Sequence, residues 1–176
     1  MTISFNNLGF WGRLGNQMFQ YGTLKSIAMK HGYEYVLPPS NFNDPYKEHQ
    51  LFEAFKLPNL NHRGRVDDKY LQERQFNFDQ ELLEKCPDNI SLYGYFQTDR
   101  YFTHIADSIK EDFSFHDEVL NNCKEVVDGM DTPISLHVRR TDYVEKSQDH
   151  PPCSLQYYEK ALSHFDGDRQ VIIFTD

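Results

Sequence analysis

Two adjacent arginines and a carboxylate follow a short apolar run in residues 133–144, which read PISLHVRRTDYV. The run, residues 134–138, has the β-favouring composition of a strand buried on both faces. Arg139, Arg140 and Asp142 come directly after it, at the carboxyl end of the predicted strand. Open α/β sheets bind ligands at this edge. The pattern therefore predicts a strand whose end carries an anion-binding site.

Arginine suits a pyrophosphate better than lysine does, because its guanidinium keeps its charge and presents five donors in a planar fork. Adjacent side chains on an extended backbone point to opposite sides. One arginine is therefore expected to face a ligand while the other braces the site, with Asp142 as a structural partner of Arg140. The alternative is an ordinary solvated Arg–Asp pair at a strand end.

A glycine-rich segment near the N-terminus is the second candidate site. Its glycines, Gly9, Gly12 and Gly15, follow the pattern G-x-x-G-x-x-G, which matches neither the dinucleotide fingerprint nor the Walker loop. A helix is predicted to follow, so Arg13 and Asn16 would lie near a helix start, where backbone donors favour anions. A glycine-rich turn without a ligand is the alternative.

Composition limits the classes of function. The net charge is -9 and the pI about 5.3, which argues against the broad basic surface that nucleic-acid binding needs. Any phosphate site must therefore be local. The mean hydropathy of -0.71 and the lack of a long apolar run predict a soluble, cytoplasmic chain without a transmembrane segment. The 3 cysteines are widely spaced and indicate neither disulfides nor a zinc site.

No metal site is predicted. Asp166-Gly167-Asp168 matches the D-x-D pattern that holds divalent metals in many enzymes. It lies between a predicted helix and the next strand, away from the ligand-binding ends of the strands, so we interpret it as a turn. His137 lies inside the central strand, where a lone histidine is more often a core residue than a ligand or base.

Strand and helix patterns alternate along the chain, which predicts an α/β protein. A first βαβ-like unit combines a strand within residues 2–8, a helix ending at Gly32 and a strand over residues 33–37. That helix carries Met18, Tyr21, Leu24 and Ala28 on one face.

Further along the chain we predict a strand, then a boundary and a second strand–helix–strand unit. The strand spans residues 91–96. It precedes two helices, one from Thr98 or Asp99 to Lys110 and one over residues 116–127. A turn at Gly129 is taken as the boundary between domains 1–130 and 131–176. The second unit comprises the strand 134–138, a helix capped by Ser154 and a continuous apolar strand over residues 171–174.

Several blocks of the chain together resemble the α-1,2-fucosyltransferases of glycosyltransferase family 11. The blocks are residues 12–21, 93–102, 135–143, 153–158 and 173–176. They occur in the family's order and span nearly the whole chain, and the H-x-R-R-x-D-Y block at residues 137–143 is the most specific.

The resemblance implies a GT-B-like fold of two Rossmann-like domains. It also implies transfer of L-fucose from GDP-fucose to a galactose hydroxyl of a glycan, with inversion and without a metal or other cofactor. Arg139 would grip the diphosphate of the donor, and His137 would belong to the same donor site. Arg13, Gly15 and Asn16 would reach the cleft from the N-terminal domain.

The resemblance leaves several points open. Asp142 is a candidate base for the acceptor hydroxyl, and Asn16 is a further candidate catalytic residue. A non-catalytic carbohydrate- or nucleotide-binding remnant and a fucosyltransferase of another linkage are the alternative functions, and peripheral membrane association is left open. Because the family continues beyond residue 176, the donor domain is expected to be incomplete. We therefore expect the chain alone to bind GDP-fucose weakly or not at all, to show little transferase activity and to expose residues 171–174.

Overall fold

The computed structural model describes residues 1–10, 12–39, 50–60 and 63–176, so Trp11 of the glycine-rich segment lies outside the described residues. The strands are β1 (Thr2–Ser4), β2 (Glu34–Val36), β3 (Tyr70–Gln72), β4 (Ile90–Tyr93), β5 (Ile134–Val138) and β6 (Val171–Thr175). The helices are α1 (Leu14–His31), α2 (Gln50–Ala54), α3 (Gln80–Lys85), α4 (Ala106–Asp112), α5 (Asp117–Val127), α6 (Thr141–Glu145) and α7 (Leu155–Leu162).

The chain divides into two compact units, Met1–Leu120 and Asn121–Asp176. The division falls within α5 and not at Gly129, where the sequence suggested a boundary. Gly129 does adopt the left-handed backbone of a turn residue, with φ of 74°. The functional domain limits 1–130 and 131–176 stay a prediction.

A parallel four-stranded sheet with the order β2-β1-β4-β3 organises the first unit. The predicted first βαβ unit is confirmed, since α1 connects the parallel neighbours β1 and β2. Gly32 ends α1 in the left-handed conformation, and its N–H donates to the carbonyl of Ala28. The mixed α/β architecture with parallel strands is consistent with a Rossmann-like fold.

Helix α1 is more deeply buried than a one-sided amphipathic pattern predicts. All of residues 20–28 are buried, including the polar residues Gln20, Thr23, Lys25 and Ser26. Ser26 Oγ donates to the carbonyl of Tyr101 at 2.5 Å. At Gly22 an added Cβ would lie 2.8 Å from the Phe102 ring, so glycine permits a close approach there. The helix is therefore the centre of the unit and not a surface layer.

A buried ion pair joins α1 to the end of α4. Lys25 Nζ donates to Asp112 Oδ2, and the two side chains are 3% and 0% exposed. The Tyr21 hydroxyl donates to the same oxygen at 2.6 Å, and Asn59 Nδ2 donates to Oδ1 at 2.7 Å. Burial and the hydrogen bond to Asp112 raise the pKa of Tyr21 well above its ordinary value. Both carboxylate oxygens of Asp112 are thus hydrogen-bonded, as a buried charge requires.

Beyond β4 the predicted helix from Thr98 to Lys110 is divided. Thr98 Oγ1 accepts from the N–H of Arg100 at the start of a 3-10 turn, Asp99–Tyr101. A second 3-10 turn, Thr103–Ile105, lies between this turn and α4. The predicted helix over residues 116–127 is confirmed as α5. No helix among the described residues is long and apolar enough to cross a membrane.

The second unit contains a parallel pair of strands, β5 and β6, with the helices α6 and α7 between them in sequence. The predicted strand–helix–strand unit is confirmed, with Ser154 Oγ accepting from the N–H of Tyr157 at the start of α7. The predicted exposure of residues 171–174 is also confirmed at Val171, Ile173 and Phe174.

The expectation that β5 is buried on both faces is wrong in this structure. Only Ile134 is fully buried, while Ser135 and His137 are exposed. The apolar run correctly indicated a strand, but β5 pairs with a single neighbour, β6, in the described sheet. Burial of both faces needs covering layers on both sides, which an apolar run of five residues cannot specify.

We expect Asp112→Ala to lower the free energy of unfolding by about 3–5 kcal/mol, because the change leaves a buried Lys25 ammonium without its counter-charge. Urea unfolding followed by circular dichroism would measure the loss. Asp107→Ala is the matched control, since Asp107 forms an exposed pair with Lys110 at 3.7 Å and should change stability little. Equal losses for the two variants would contradict the structural role given to Asp112.

Candidate active site

Arg139 is held in one orientation at the carboxyl end of β5. Strand β5 ends at Val138 and α6 begins at Thr141, so Asp142 lies in the first turn of α6, three residues after Arg139. Arg139 Nε donates to Asp142 Oδ1 at 3.0 Å, and Nη2 donates to Oδ2 at 2.7 Å. This bidentate geometry fixes the plane of the guanidinium.

An aromatic stack supports the same arginine from a second direction. The Arg139 guanidinium carbon lies 4.6 Å from the centre of the Tyr143 ring, within the range of a cation–π contact. His150 stacks on Tyr143 with ring centres 5.0 Å apart and an interplanar angle of 19°. The loop after α6 thus contributes to the position of Arg139.

The structure corrects the predicted partner of Asp142, which pairs with Arg139 and not with Arg140. The reason is local: once α6 starts at Thr141, a side chain in its first turn meets the residue three positions earlier. The hydrogen bond from Arg139 lowers the pKa of Asp142, and the same bond raises the pKa of Arg139. A carboxylate with a lowered pKa is a weaker base than an ordinary aspartate, which disfavours Asp142 as the base.

Part of the Arg139 guanidinium stays available for a ligand. Asp142 occupies the edge formed by Nε and Nη2, and a guanidinium has five N–H donors in all. The edge formed by Nη1 and Nη2 is therefore the one on which an oxyanion can bind. The side chain is 41% exposed, so this edge is within reach of solvent.

Two other predicted residues flank this arginine. The His137 side chain is exposed and lies opposite Phe174 in the register of β5 and β6, so it is not the satisfied core histidine that we had weighed. Arg140 is exposed and stands at the N-cap position of α6. Within the part of the chain that the structure describes, no ion pair is recorded for the Arg140 side chain.

Asp176 is a site residue that the sequence reasoning did not select. Its Oδ1 accepts from the N–H groups of Arg140 at 2.8 Å and Thr141 at 3.4 Å, and its Oδ2 accepts from the Thr141 hydroxyl at 2.6 Å. Asp176 follows β6, so it caps the turn that ends β5 from the neighbouring strand. The carboxyl ends of adjacent parallel strands meet at one edge, and that signal could have identified it.

The glycine-rich candidate site lies in the first unit, at the start of α1. Gly9 and Gly12 have φ values of 81° and 82°, the left-handed backbone that glycine adopts without strain. Arg13 is exposed and occupies the N-cap position, while Leu14 N donates to Gln50 Oε1 at 2.8 Å. Gly15 is exposed, and no described atom lies within 4 Å of a Cβ added there.

Asn16 is joined to a residue that the sequence reasoning also missed. Gln97 Nε2 donates to Asn16 Oδ1 across 81 positions of sequence. Gln97 lies beyond the carboxyl end of β4, which neighbours β1 in the sheet, and the glycine-rich segment follows β1. The shared sheet edge is again the signal that could have connected these residues.

Other potential sites do not involve the predicted residues. Asp166-Gly167-Asp168 forms a turn closed by Arg169 N donating to the carbonyl of Asp166 at 3.3 Å, as predicted. No cluster of three or more potential metal ligands occurs among the described residues. A cavity of about 350 Å³ in the first unit is lined by polar residues such as Glu34, Arg65 and Asp67 and contains none of the predicted site residues.

In open parallel α/β sheets, ligands bind at the carboxyl ends of the strands, and each candidate site lies at such an end in its own unit. The model of glycosyl transferase family 11 matches residues 2–176. The chain therefore belongs to glycosyl transferase family 11. The resemblance noted from the sequence blocks is thereby confirmed.

Curated relatives are similar over most of this chain. The O-antigen biosynthesis glycosyltransferase WbnK of Escherichia coli is 28% identical over 94% of the chain and 70% of its own length. Galactoside alpha-(1,2)-fucosyltransferase 2 of Hylobates lar is 28% identical over 77% of the chain and 42% of its own length. The protein of that name from Mus musculus is 28% identical over 88% of the chain. The chain thus spans less than half of these mammalian relatives, 42% and 46%.

The cap formed by Asp176 predicts a specific pH dependence. Hydrogen bonds from the Thr141 hydroxyl and the Arg140 N–H lower the pKa of Asp176 to about 2. Because the folded pKa lies below the ordinary value of about 3.9, the stabilisation is present above that value and is lost as the pH falls toward 2. The Arg140 and Thr141 amide signals in an NMR titration should therefore shift with a midpoint near 2.

Asp176→Asn is the control for this titration, because it removes the ionisable group but keeps an oxygen acceptor. In this variant the acid shift of the Arg140 amide should disappear, apart from any contribution of Asp142, which also titrates in the acid range. A midpoint near 4 in the unsubstituted protein would contradict the capping role.

Proposed function

We propose that this protein takes part in the transfer of L-fucose from GDP-fucose to a galactose hydroxyl of a glycan, forming an α-1,2 linkage with inversion. Membership of glycosyl transferase family 11 supports a glycosyl transfer reaction. Several relatives are named galactoside α-(1,2)-fucosyltransferases, which supports the choice of fucose and of the linkage. The GT-B-like arrangement of two Rossmann-like domains belongs to the same proposal.

The single observation that carries the proposal is the fixation of Arg139. Asp142 binds one edge of the guanidinium, Tyr143 lies against its face, and the Nη1–Nη2 edge remains at the carboxyl end of β5. A cation held in place before the reaction needs little reorganisation when negative charge develops beside it. We therefore assign Arg139 to the diphosphate of GDP-fucose.

The proposed reaction needs positive charge most at the diphosphate of the donor, because negative charge develops there. The bond between the fucose carbon C1 and the diphosphate oxygen breaks, and the oxygen of the acceptor hydroxyl forms a bond to the opposite face of C1. The departing GDP gains negative charge, and two parallel N–H donors of Arg139 can bind it as a bidentate pair. The acceptor hydroxyl passes its proton to a base or to water in the same reaction, so that the products are the fucosylated glycan and GDP. Inversion follows from a single in-line displacement.

The remaining predicted residues have supporting roles. His137 lies on β5 two positions before Arg139 and is assigned to the same donor site. Arg13 and Asn16, which belong to the first unit, are assigned to contacts with the substrates. Among the described residues, no neighbouring side chain would clash with a Cβ added at Gly15, so packing does not explain the glycine. Close approach of a ligand would explain it.

Arg139→Lys, introduced in the protein with its complete donor-binding domain, tests the proposed donor contact in a transfer assay with GDP-fucose and lactose. A lysine ammonium is a point charge and cannot reproduce the paired N–H donors, so kcat/KM should fall by about 100-fold or more. The affinity for GDP, measured by calorimetry, should fall in the same variant. Analysis of the product linkage distinguishes an α-1,2 linkage from any other.

Arg169→Lys is the matched control. Arg169 is half-buried in the same unit and donates to the carbonyl of Thr132, which precedes β5 at the opposite end of the strand. Its replacement should leave both the GDP affinity and the transfer rate near the unsubstituted values. The assignment of Arg139 to the diphosphate would fail if Arg139→Lys behaved like this control.

We also propose that the transfer needs no metal ion, because Arg139 supplies the positive charge at the diphosphate. Excess EDTA should then leave the transfer rate essentially unchanged. The assay compares the rate before and after chelation and again after adding Mg²⁺ or Mn²⁺ back. A strict requirement that is restored by either ion would refute this part of the proposal.

A further inference from the structure

A pair of side-chain amides, Asn16 and Gln97, spans the carboxyl edge of the first unit's sheet. Asn16 lies in the first turn of α1, and Gln97 follows β4. Gln97 Nε2 donates to Asn16 Oδ1. Asn16 is half-buried and Gln97 is exposed, so this contact borders solvent. We name these two residues the amide pair.

The backbone that carries Gln97 is held on both sides. The Glu73 carboxylate accepts from the N–H groups of Tyr95 at 2.8 Å and Phe96 at 3.1 Å. Gln20 Nε2 donates to the carbonyl of Gly94 at 3.0 Å. The position of Gln97 therefore depends on contacts from α1 and from the residue that follows β3, and not on its own short loop alone.

The residue before Gln97 is strained. Phe96 has φ of 54°, in the left-handed region that a bulky residue rarely adopts. Its ring is fully buried and makes edge contacts with Phe5 and Tyr101, with ring centres 6.0 and 5.7 Å away. Such strain persists only where the surroundings impose it, and it concentrates at functional sites.

The amide of Asn16 has a defined direction. Its oxygen accepts from Gln97, and its nitrogen lies over Gly12, where an added Cβ would be 2.0 Å from Nδ2. Gly12 is exposed, so the nitrogen end faces the open side of the glycine-rich segment. Among the described residues no acceptor is recorded for Nδ2. Asn16 can therefore offer N–H donors to a ligand on the side of Gly12, while its oxygen is turned toward Gln97.

We propose that Gln97 is a positioning residue that makes Asn16 a hydrogen-bond donor to a substrate oxygen. This inference rests on the proposed function and specifies that Asn16 is the donor in its hydrogen bond to the substrate. The oxygen belongs either to the diphosphate of the sugar nucleotide or to a hydroxyl of the acceptor sugar, since both are acceptors of the same kind. Asn16 binds this oxygen through Nδ2 and does not act as a base.

Two substitutions separate this role from a merely structural one. Gln97→Glu replaces the donor by an acceptor of the same shape, so the Asn16 amide turns its nitrogen toward position 97 and its oxygen toward the ligand. Asn16→Asp keeps the hydrogen bond from Gln97 but removes the donor from the ligand side. Both variants should lose about tenfold in kcat/KM in the GDP-fucose and lactose assay, which is the worth of one hydrogen bond.

Gln75→Glu is the matched control, since Gln75 is an exposed bend residue of the same unit and the change in charge is identical. Its transfer kinetics should match those of the unsubstituted protein, and thermal unfolding of all variants checks that they fold. A structural amide pair would tolerate Asn16→Asp, because the hydrogen bond survives. Near-normal kcat/KM in Asn16→Asp would therefore overturn the inference.

NMR of the side-chain amides gives a readout that does not depend on transfer. The Asn16 Nδ2 signals of the unsubstituted protein should shift on adding GDP if the oxygen is a phosphate oxygen, and on adding lactose if it is a hydroxyl. Gln97→Glu should abolish the shift. A shift without detectable transfer would contradict the proposed transferase function but would support the inferred role of the amide pair. Signals that neither compound moves would overturn the inference even if transfer is normal.

Discussion

The first unit depends on the buried charge pair between Lys25 and Asp112. The carboxylate receives hydrogen bonds from Lys25 and Tyr21 of α1 and from Asn59, while its backbone carbonyl accepts from Leu57 N at 3.1 Å. One aspartate thus joins α1, α4 and the segment after α2. Because neither charge has access to water, their pairing must be maintained for α1 to stay buried. Asn16 lies in the first turn of α1, so the buried position of α1 in the unit also determines the position of Asn16.

The main features of the fold were predictable because they depend on local patterns. The Gly32 cap, the Ser154 cap and the apolar run of β6 each result from one or a few adjacent residues, and all three are present in the structure. The burial of Lys25 was not predictable, since a lysine on a helix is usually solvated and its partner is 87 residues away. The exposure of β5 was missed for a related reason, because covering layers are not encoded in the strand.

In the candidate site, too, the sequence predicted local features but not the contacts between residues that are distant in sequence. The sequence indicated that Arg139 stands at a strand end, and the structure agrees. The partner of Asp142 was assigned wrongly because the start of α6 decides which arginine it meets. Asp176 and Gln97 were missed since their contacts join separate strands of the sheets. The predicted strand–helix–strand unit already indicated that β5 and β6 share a sheet edge, whereas the pairing of β1 with β4 depends on a strand order that alternating patterns do not specify.

The two carboxylates around Arg139 restrict the chemistry of this edge. Hydrogen bonds lower the pKa of both Asp142 and Asp176, the first through Arg139 and the second through Thr141 and Arg140. A base must have a pKa close to the working pH to take a proton efficiently. Both groups instead keep their charge and hold the arginine turn in place. Under the proposed function this edge would stabilise the negatively charged leaving group, and the lowered pKa values of both carboxylates make them weaker acceptors for the proton of the acceptor hydroxyl than an ordinary aspartate.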